Sequence, residues 1–367
     1  MSKLRVLVLA AGTRVGQNIL TTLAWRRAEL TLIAATSVAG EPGPFDYDIV
    51  HLVPPTAAPD FESRLLSLIE SERIDLVIPC RDDDVLFVAA LRERRPALAP
   101  RLLCGSTAAA IAIVDKGDSA DFSTRNGLPF APSLVAPADA AARATFVRAN
   151  GFPLVAKPRR GYASVGVHLI SSDSQLARAL ARDGMLVQKF LGDPEVVRRY
   201  LAAVEADGVP LFHTFQGLKH SIQALIAQDG TVAHVICLRT QSDRRRSKVV
   251  VPDAGGEAPA LGAHCAAAFA AAGWRGPLNI QCQRAADGRL YIHEFNGRFT
   301  GATIERWRLG YDEVGAAIAS FTGRTLAPYA ITPEVAPREV FETVETRGAD
   351  PRHTAALARD GVWHRMP

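Results

Sequence analysis

The residues best suited to chemistry lie in two runs near the end of the chain, 278–283 and 290–298, where polar and apolar side chains alternate. Between them stands Asp287-Gly288, a strong signal for a two-residue turn that joins two antiparallel strands. If the chain turns there, alternation along each strand gathers five polar side chains on one face of the hairpin. They are Asn279, Gln281, Glu294, Asn296 and Arg298.

In this register Gln281 lies opposite Glu294, and Asn279 lies opposite Asn296. A carboxylate beside amide oxygens suits Mg²⁺, which prefers oxygen ligands and often completes its shell with nucleotide phosphates. Gln281, Glu294 and Asn296 are therefore candidate metal ligands. The alternative is the solvated face of an ordinary antiparallel hairpin, which shows the same alternation.

A second cluster begins at Lys157, which ends a strand-like run and is followed by a loop of small and basic residues. A lysine placed there, together with several backbone N–H groups, can hold a triphosphate, and glycines let the backbone approach it closely. The candidate phosphate-binding residues are Lys157, Arg160, Gly161, Ser164 and Gly166. The alternative is a plain hairpin whose lysine extends from the edge of the sheet.

Two shorter segments add to the nucleotide hypothesis. Lys116 lies in a helical stretch and could reach phosphates, although a single lysine there is usually a surface residue. A strand-like segment could bind an adenine edge through its backbone, unless it is a core strand that ends in a turn. Its candidate residues are Gln188, Lys189, Phe190 and Leu191. One of two later acids, Glu195 or Glu205, could meet the ribose.

The first hundred residues predict a scaffold for these clusters. Aliphatic strand-like runs at 4–10, 30–35 and 75–79 alternate with helical patterns at 17–27, 61–70 and 82–94. Such alternation predicts a parallel, doubly wound sheet. The glycine turn at 11–16 lacks the third glycine of a dinucleotide fingerprint, so we interpret it as a tight strand-to-helix turn, with a nicotinamide site as the alternative.

After residue 100 the pattern is mixed. Helices are predicted at 107–126, 139–150, 175–182 and 262–272, and strands at 154–157, 165–170 and 185–190. Several hydrophobic strands are predicted between Val196 and Leu238, joined by turns at Asp207-Gly208 and Asp229-Gly230. The tail after residue 327 shows no clear pattern.

Composition narrows the class of protein. A length of 367 residues suits two or three domains, and 48% hydrophobic with 22% charged residues is ordinary for a globular protein. The net charge of +4 comes with scattered arginine clusters and few aromatic residues, which favours phosphate or carboxylate ligands over nucleic acid.

Five cysteines without a C-x-x-C pair argue against a zinc site or a disulfide framework. No signal-peptide core or bilayer-length apolar run is present, which predicts a cytoplasmic protein with no membrane partner.

Taken in order, these pieces resemble the ATP-grasp superfamily, especially its carbamoyl-phosphate-synthetase-like and biotin-carboxylase-like branch. The likeness is most specific at the Lys157 loop and the 281–298 hairpin. It implies an α/β and α+β fold, in which an N-terminal Rossmann-like (pre-ATP-grasp) domain with a parallel sheet precedes the ATP-grasp domain. The implied boundaries are 1–105 for the first domain, 106–185 for the small lid region with its glycine-rich loop, 186–330 for the catalytic region and 331–367 for a tail.

The resemblance also implies a function. Such a ligase uses ATP and Mg²⁺, with Mn²⁺ a possible substitute, to activate a small-molecule carboxylate as an acyl phosphate and pass it to an amine. Lys157, Glu294 and Arg298 match catalytic positions of the family, and Arg298 matches the arginine that steadies the carboxylate. Relatives are often homodimers. The alternatives are a bicarbonate-activating enzyme and a nucleotide-binding regulator with little chemistry.

Some residues depart from the family pattern. Gly297 stands where the family usually has proline, and Gln281 supplies a neutral ligand where many relatives have glutamate. In the family, a strand with an acidic residue usually follows the adenine segment closely. Here the nearest match to that strand lies only at 220–225, and Gln223 stands where the family has the acidic residue. A basic loop at 240–249, which contains Arg244 to Lys248, is interpreted either as recognising acidic substrate groups or as a solvated loop.

Overall fold

The structure is a computed structural model that describes residues 2–41, 43–161, 164–209, 219–242, 248–342, 348 and 350–365. Its strands are β1 (Leu4–Leu9), β2 (Leu30–Thr36), β3 (Ile49–Leu52), β4 (Leu76–Ile78), β5 (Ser133–Val135), β6 (Leu154–Pro158), β7 (His168–Ile170), β8 (Met185–Lys189), β9 (Lys219–Ile226), β10 (Val232–Ser242), β11 (Lys248–Pro252), β12 (Gly276–Arg284), β13 (Leu290–Asn296), β14 (Val340–Glu342) and β15 (Val362–His364). Its α-helices are α1 (Arg14–Leu23), α2 (Phe61–Ser71), α3 (Asp82–Arg94), α4 (Thr107–Val114), α5 (Lys116–Arg125), α6 (Ala140–Asn150), α7 (Asp173–Leu180), α8 (Pro194–Asp207), α9 (Ala258–Ala271), α10 (Thr303–Arg308), α11 (Glu313–Thr322) and α12 (Pro351–Asp360).

The N-terminal sheet has the order β15-β3-β2-β1-β4, and its first four strands in sequence run parallel. Aliphatic side chains of β1 alternate between two cores, with Leu7 and Leu9 in one and Val6 and Val8 in the other. A strand covered by helices on both faces explains the unbroken aliphatic run in the sequence. The predicted parallel, doubly wound sheet is confirmed.

The tail contributes to this sheet, which the sequence did not indicate. β15 pairs antiparallel with β3 through Trp363 and Val50, and α12 packs on the same edge. β14 adds to a different sheet by pairing with β11. Through β14 and β15 the tail is thus attached to two different sheets.

Two antiparallel sheets follow the N-terminal domain. One has six strands in the order β13-β12-β9-β10-β11-β14, and the other has four in the order β5-β8-β6-β7. The alanine-rich helix α9 covers β9 and β10 closely, because a Cβ on Gly262 would lie 2.6 Å from Ile222 and 2.7 Å from Val235. The two sheets face each other across a cleft that contains the candidate site.

Two local predictions were wrong. The strand predicted from Val196 is part of the helix α8, in which Asp193 caps the start and Gly208, with a φ of 90°, follows the end. An N-cap aspartate followed by proline and a C-terminal glycine is a helix signature, so the signal was present in the sequence. The helix predicted over 107–126 breaks at Asp115, which has an extended backbone and caps α5.

The five cysteines are all buried and have free thiols. Within the described part of the chain, no helix combines the length and apolar character needed to cross a lipid bilayer.

Candidate active site

The β12–β13 hairpin has the predicted register at its polar end. Gln281 pairs with Glu294, and Asn279 pairs with Asn296. The connection, however, is a three-residue loop closed by the Ala285 N–H donating to the Arg289 carbonyl at 2.9 Å, with Gly288 at a φ of 79°. This loop shifts the pairing by one residue, and a bulge at His293 shifts it back. The predicted register is confirmed, but the predicted two-residue turn is wrong.

The bulge decides which side chains face the cleft. On the core side lie Leu278, Ile280, Cys282, Leu290, Ile292 and Phe295, all of them buried. Strict alternation would have sent His293 to the core with Phe295, whereas the bulge brings it to the cleft beside Glu294. The same face also presents Gln283, so the hairpin adds two polar residues that sequence analysis did not identify as site residues.

The cleft encloses a cavity of about 390 Å³ between this hairpin and the four-stranded sheet. Ten of the predicted site residues line it, namely Lys116, Lys157, Gly161, Ser164, Gln188, Lys189, Phe190, Leu191, Gln281 and Glu294. Three further polar residues line it, namely Lys219, Gln283 and His293. The cavity therefore joins the glycine-rich loop, the predicted adenine segment and the polar hairpin in one space.

Lys157 lies at the base of this cavity, at the end of β6. Its ammonium group donates to the Gln188 side-chain oxygen at 2.8 Å and to the His293 carbonyl at 2.9 Å. Burial lowers the pKa of Lys157 to about 8; the carboxylate of Glu294 opposes this shift and the charge of Lys116 adds to it. Among the described residues no carboxylate lies within ion-pairing distance of the Lys157 ammonium, so its charge can serve to bind an anion.

Lys116 begins α5, and its ammonium group lies 3.1 Å from Oε1 of Glu294. Burial alone would raise the pKa of Glu294, but the charges of Lys116 and Lys157 outweigh it and hold that pKa below its ordinary value. Glu294 is therefore ionised at neutral pH, as a metal-binding carboxylate must be. The three groups form a compact set of two cations and one anion.

The proposed metal ligands differ in position. Gln281 and Glu294 line the cavity, whereas Asn296 is buried behind them, its amide 3.5 Å from Oδ1 of Asn279. The described residues contain no group of three or more His, Cys, Asp or Glu that could hold a metal. One carboxylate and one amide oxygen are enough to bind Mg²⁺ when nucleotide phosphates supply further oxygen ligands. They are too few to form a metal site from protein ligands alone.

Arg298 lies beside the hairpin, where it meets the N-terminal domain. Its Nε donates to Asp82 at 2.8 Å and its Nη2 to Oδ1 of Asn296 at 3.0 Å, while Nη1 is 3.3 Å from the Phe299 carbonyl. Burial raises the pKa of Asp82, and the Arg298 charge opposes that shift. Arg298 does not line the cavity itself; it lies between the hairpin and the start of α3.

Gly297 lies against the indole ring of Trp274, which occupies the space that a side chain at position 297 would need. A Cβ at this position would lie 2.8 Å from the ring of Trp274 and 3.3 Å from Val85. Trp274 is fully buried, and its Nε1 donates to the Pro277 carbonyl at 3.1 Å, so the ring has no room to shift. The indole explains why glycine stands where the family usually has proline.

Gly297→Ala is therefore expected to lower the free energy of unfolding by about 1–3 kcal/mol, the usual cost of overpacking a core. Chemical denaturation measures this change. Gly255→Ala is the matched control, because a Cβ there meets nothing within 4 Å. Equal stability of both variants would show that the Trp274 contact does not select glycine.

Several predicted residues do not reach the cavity. Glu195 lies in the first turn of α8 and pairs with Arg198 at 2.7 Å, and Glu205 is exposed on the same helix. Gly166 has a φ of 73° but does not line the cavity, and Arg160 extends toward Asp115. Neither acid lines the cavity. The central part of the basic loop, 243–247, lies outside the described residues.

No protein-family model matches the chain, and no curated protein sequence is similar enough to match it. Solved structures do match. The N5-carboxyaminoimidazole synthetase of Staphylococcus aureus complexed with ADP superposes with a TM-score of 0.66 at 12% identity, over 89% of this chain and 80% of that one. The Hydrogenobacter thermophilus 2-oxoglutarate carboxylase biotin carboxylase domain dimer, in complex with MgADP, ADP and bicarbonate, gives 0.64 at 15% identity, over 92% and 73%.

A third match is the beta-gamma-ATP complex of Campylobacter jejuni biotin carboxylase, with a TM-score of 0.61 at 16% identity over 90% of this chain and 72% of that one. These likenesses show that the chain has the ATP-grasp fold of these enzymes. At such identities the likeness shows the fold alone.

Proposed function

We propose that the protein is an ATP-dependent carboxylate–amine ligase that works through an acyl phosphate. The observation that carries this proposal is the convergence of Lys116, Lys157 and Glu294 on one cavity, which the adenine segment and the glycine-rich loop also line. Two lysines offer charge to phosphates, and an ionised carboxylate offers an anchor to Mg²⁺. Solved structures of the same fold contain ADP, MgADP and bicarbonate.

The nucleotide would lie along the cavity. The backbone of Lys189 to Leu191 would bind the adenine edge, and Lys157 and Lys116 would hold phosphate oxygens. Arg160, Gly161, Ser164 and Gly166 would contribute loop groups over the phosphates. Gln281 and Glu294 would hold Mg²⁺, and Asn296, which accepts from Nη2 of Arg298 at 3.0 Å, would orient that arginine. The metal would neutralise charge on the transferring phosphoryl group.

The acid substrate would lie on the hairpin side of the phosphates. Its carboxylate oxygen attacks the γ-phosphorus of ATP, the bond to the β–γ bridging oxygen breaks, and ADP leaves. Arg298 would hold the carboxylate in a two-pronged contact, which a guanidinium makes better than an ammonium. The amine then attacks the acyl carbon, phosphate departs and an amide forms after the amine loses a proton.

The nucleotide affinity should depend on pH through Lys157. Below pH 8 this lysine, with its pKa of about 8, is already charged, so affinity for MgATP should be flat. Above that pH the free protein loses the charge, and binding must take up a proton, because phosphates raise the pKa of Lys157. Affinity should then fall by up to about tenfold per pH unit.

Calorimetric titration between pH 7 and pH 9.5 tests this expectation. Lys157→Arg should flatten the profile, because arginine stays charged over the whole range. A wild-type affinity that is equally flat to pH 9.5 would contradict the combination of a lowered Lys157 pKa and a contact between Lys157 and the phosphates.

The reaction itself is tested by ADP release in a screen of amino-acid pairs, with mass spectrometry of the products. The proposal predicts ADP only when a carboxylic acid and an amine are both present, together with an amide product. The presence of bicarbonate in a matched structure favours one rival, bicarbonate activation. ADP release with bicarbonate alone would establish that rival, and MgATP binding without any turnover would indicate a regulator.

A further inference from the structure

Asp115 occupies the break between α4 and α5, one residue before Lys116. Its backbone is extended, with φ −91° and ψ 116°, and its side chain is 8% exposed. Oδ1 accepts from the Gly117 N–H at 2.9 Å and from the Asp118 N–H at 3.3 Å. Asp115 therefore caps the helix that carries Lys116 and fixes where that lysine begins.

The same carboxylate also holds the chain that follows Lys157. Nε of Arg159 donates to Oδ1 of Asp115 at 2.7 Å, and Nε of Arg160 lies 3.5 Å from Oδ2. These arginines directly follow β6, which carries Lys157, and they open the glycine-rich loop. One buried carboxylate thus pairs with the start of both phosphate-binding elements.

Backbone contacts run along the same junction. The Lys116 N–H donates to the Arg159 carbonyl at 3.0 Å, and the Lys116 ammonium lies 3.5 Å from the Gly161 carbonyl. Gly117 makes room for this arrangement, since a Cβ there would lie 2.8 Å from Nε of Arg159. The start of α5 and the start of the glycine-rich loop therefore pack against each other around the Asp115 carboxylate.

We infer that Asp115 is a positioning residue that holds the Lys116 helix and the Lys157–Gly161 segment at the spacing the nucleotide phosphates require. A cap alone needs only a side-chain oxygen, whereas the pairing with Arg159 and Arg160 needs a negative charge. The inference rests on the proposed function, because it gives Asp115 its role through the phosphate-binding lysines.

Asp115→Asn separates the two tasks, because asparagine keeps the capping oxygen and removes the charge. The KM for ATP is expected to rise about tenfold, the usual effect of losing a group that orients binding residues, with kcat changed less than the KM. Asp139→Asn is the matched control, since Asp139 caps α6 by accepting from the Ala142 N–H at 2.7 Å, away from the cavity. It should leave both constants unchanged.

A double-mutant cycle adds a readout that a purely structural role would not move. Arg159→Gln should weaken MgATP binding about as much as Asp115→Asn, and the double variant should be no weaker than either single one. Additive losses, or unchanged affinity in both single variants, would overturn the inference. If Asp115→Asn fails to fold, Arg159→Gln, whose side chain is 30% exposed, decides the question alone by its KM and kcat.

The wild-type titration with MgATP comes first, because it separates the two claims. If the wild type does not bind MgATP, the proposed function fails and takes the positioning role with it. If the wild type binds and both variants bind equally well, only the inference about Asp115 fails.

Discussion

Glu294→Gln is expected to reduce ATP turnover about a thousandfold, an effect of the size seen when one transition-state electrostatic contact is removed. The variant keeps the shape of the side chain but removes the only carboxylate that lines the cavity in the described part of the chain. Mg²⁺ would retain only neutral protein ligands, beside two lysines that repel it. Turnover should fall while the fold persists, because the Glu294 side chain faces the cavity and is 25% exposed.

The matched control is Glu257→Gln. Glu257 pairs with Arg284 at 2.7 Å, and its side chain is 53% exposed, so its loss should change stability and turnover little. Circular dichroism and thermal unfolding of both variants separate loss of fold from loss of chemistry. Turnover of Glu294→Gln within a few-fold of wild type would remove the metal-binding role from this residue.

Arg298→Lys is expected to reduce kcat about a hundredfold and to raise the KM for the acid, with little change in the KM for ATP. Lysine keeps the positive charge beside Asp82 but cannot make the planar, two-pronged contact with a carboxylate. The effect should concentrate on the acid because Arg298 lies outside the cavity that the nucleotide would fill. Steady-state kinetics with each substrate varied in turn measures the split.

Arg284→Lys serves as the control for that variant. It lies on the same hairpin and also pairs with a carboxylate, but its side chain is 45% exposed at the far end of β12. Unchanged kinetics are expected there. A rise in the KM for ATP with no effect on the acid in Arg298→Lys would reassign Arg298 to nucleotide binding.

The hairpin shows what sequence reasoning can and cannot reach. The pairing of Gln281 with Glu294 was predicted from alternation and a two-residue turn, yet the turn has three residues and a bulge at His293 restores the register. The three-residue loop and the bulge shift the register by one residue in opposite directions, so the predicted pairing is correct although the predicted turn is not. The bulge itself left no trace in the pattern, because its position depends on how β12 and β13 pack, and so His293 was missed. Gln283 alternates with Gln281 on β12, so the sequence did contain the signal that would have identified it.

The predictions of other elements were right or wrong for identifiable physical reasons. The aliphatic run of β1 predicted a buried strand correctly, because burial on both faces needs no tertiary information. The helix α8 was missed although Asp193, Pro194 and Gly208 mark its ends, because its apolar residues were assigned a strand period. The antiparallel pairing of β15 with β3 joins residues over 300 positions apart and could not be read locally.

The proposed function depends on a metal–triphosphate complex held between the two lysines, Lys116 and Lys157, and the polar hairpin. A crystal structure with a non-hydrolysable ATP analogue and Mn²⁺ tests it most directly, since anomalous scattering locates the metal. We expect Mn²⁺ about 2.2 Å from a carboxylate oxygen of Glu294, with the terminal phosphates beside Lys116 and Lys157. A nucleotide bound elsewhere, or a metal with no contact to Glu294, would contradict it.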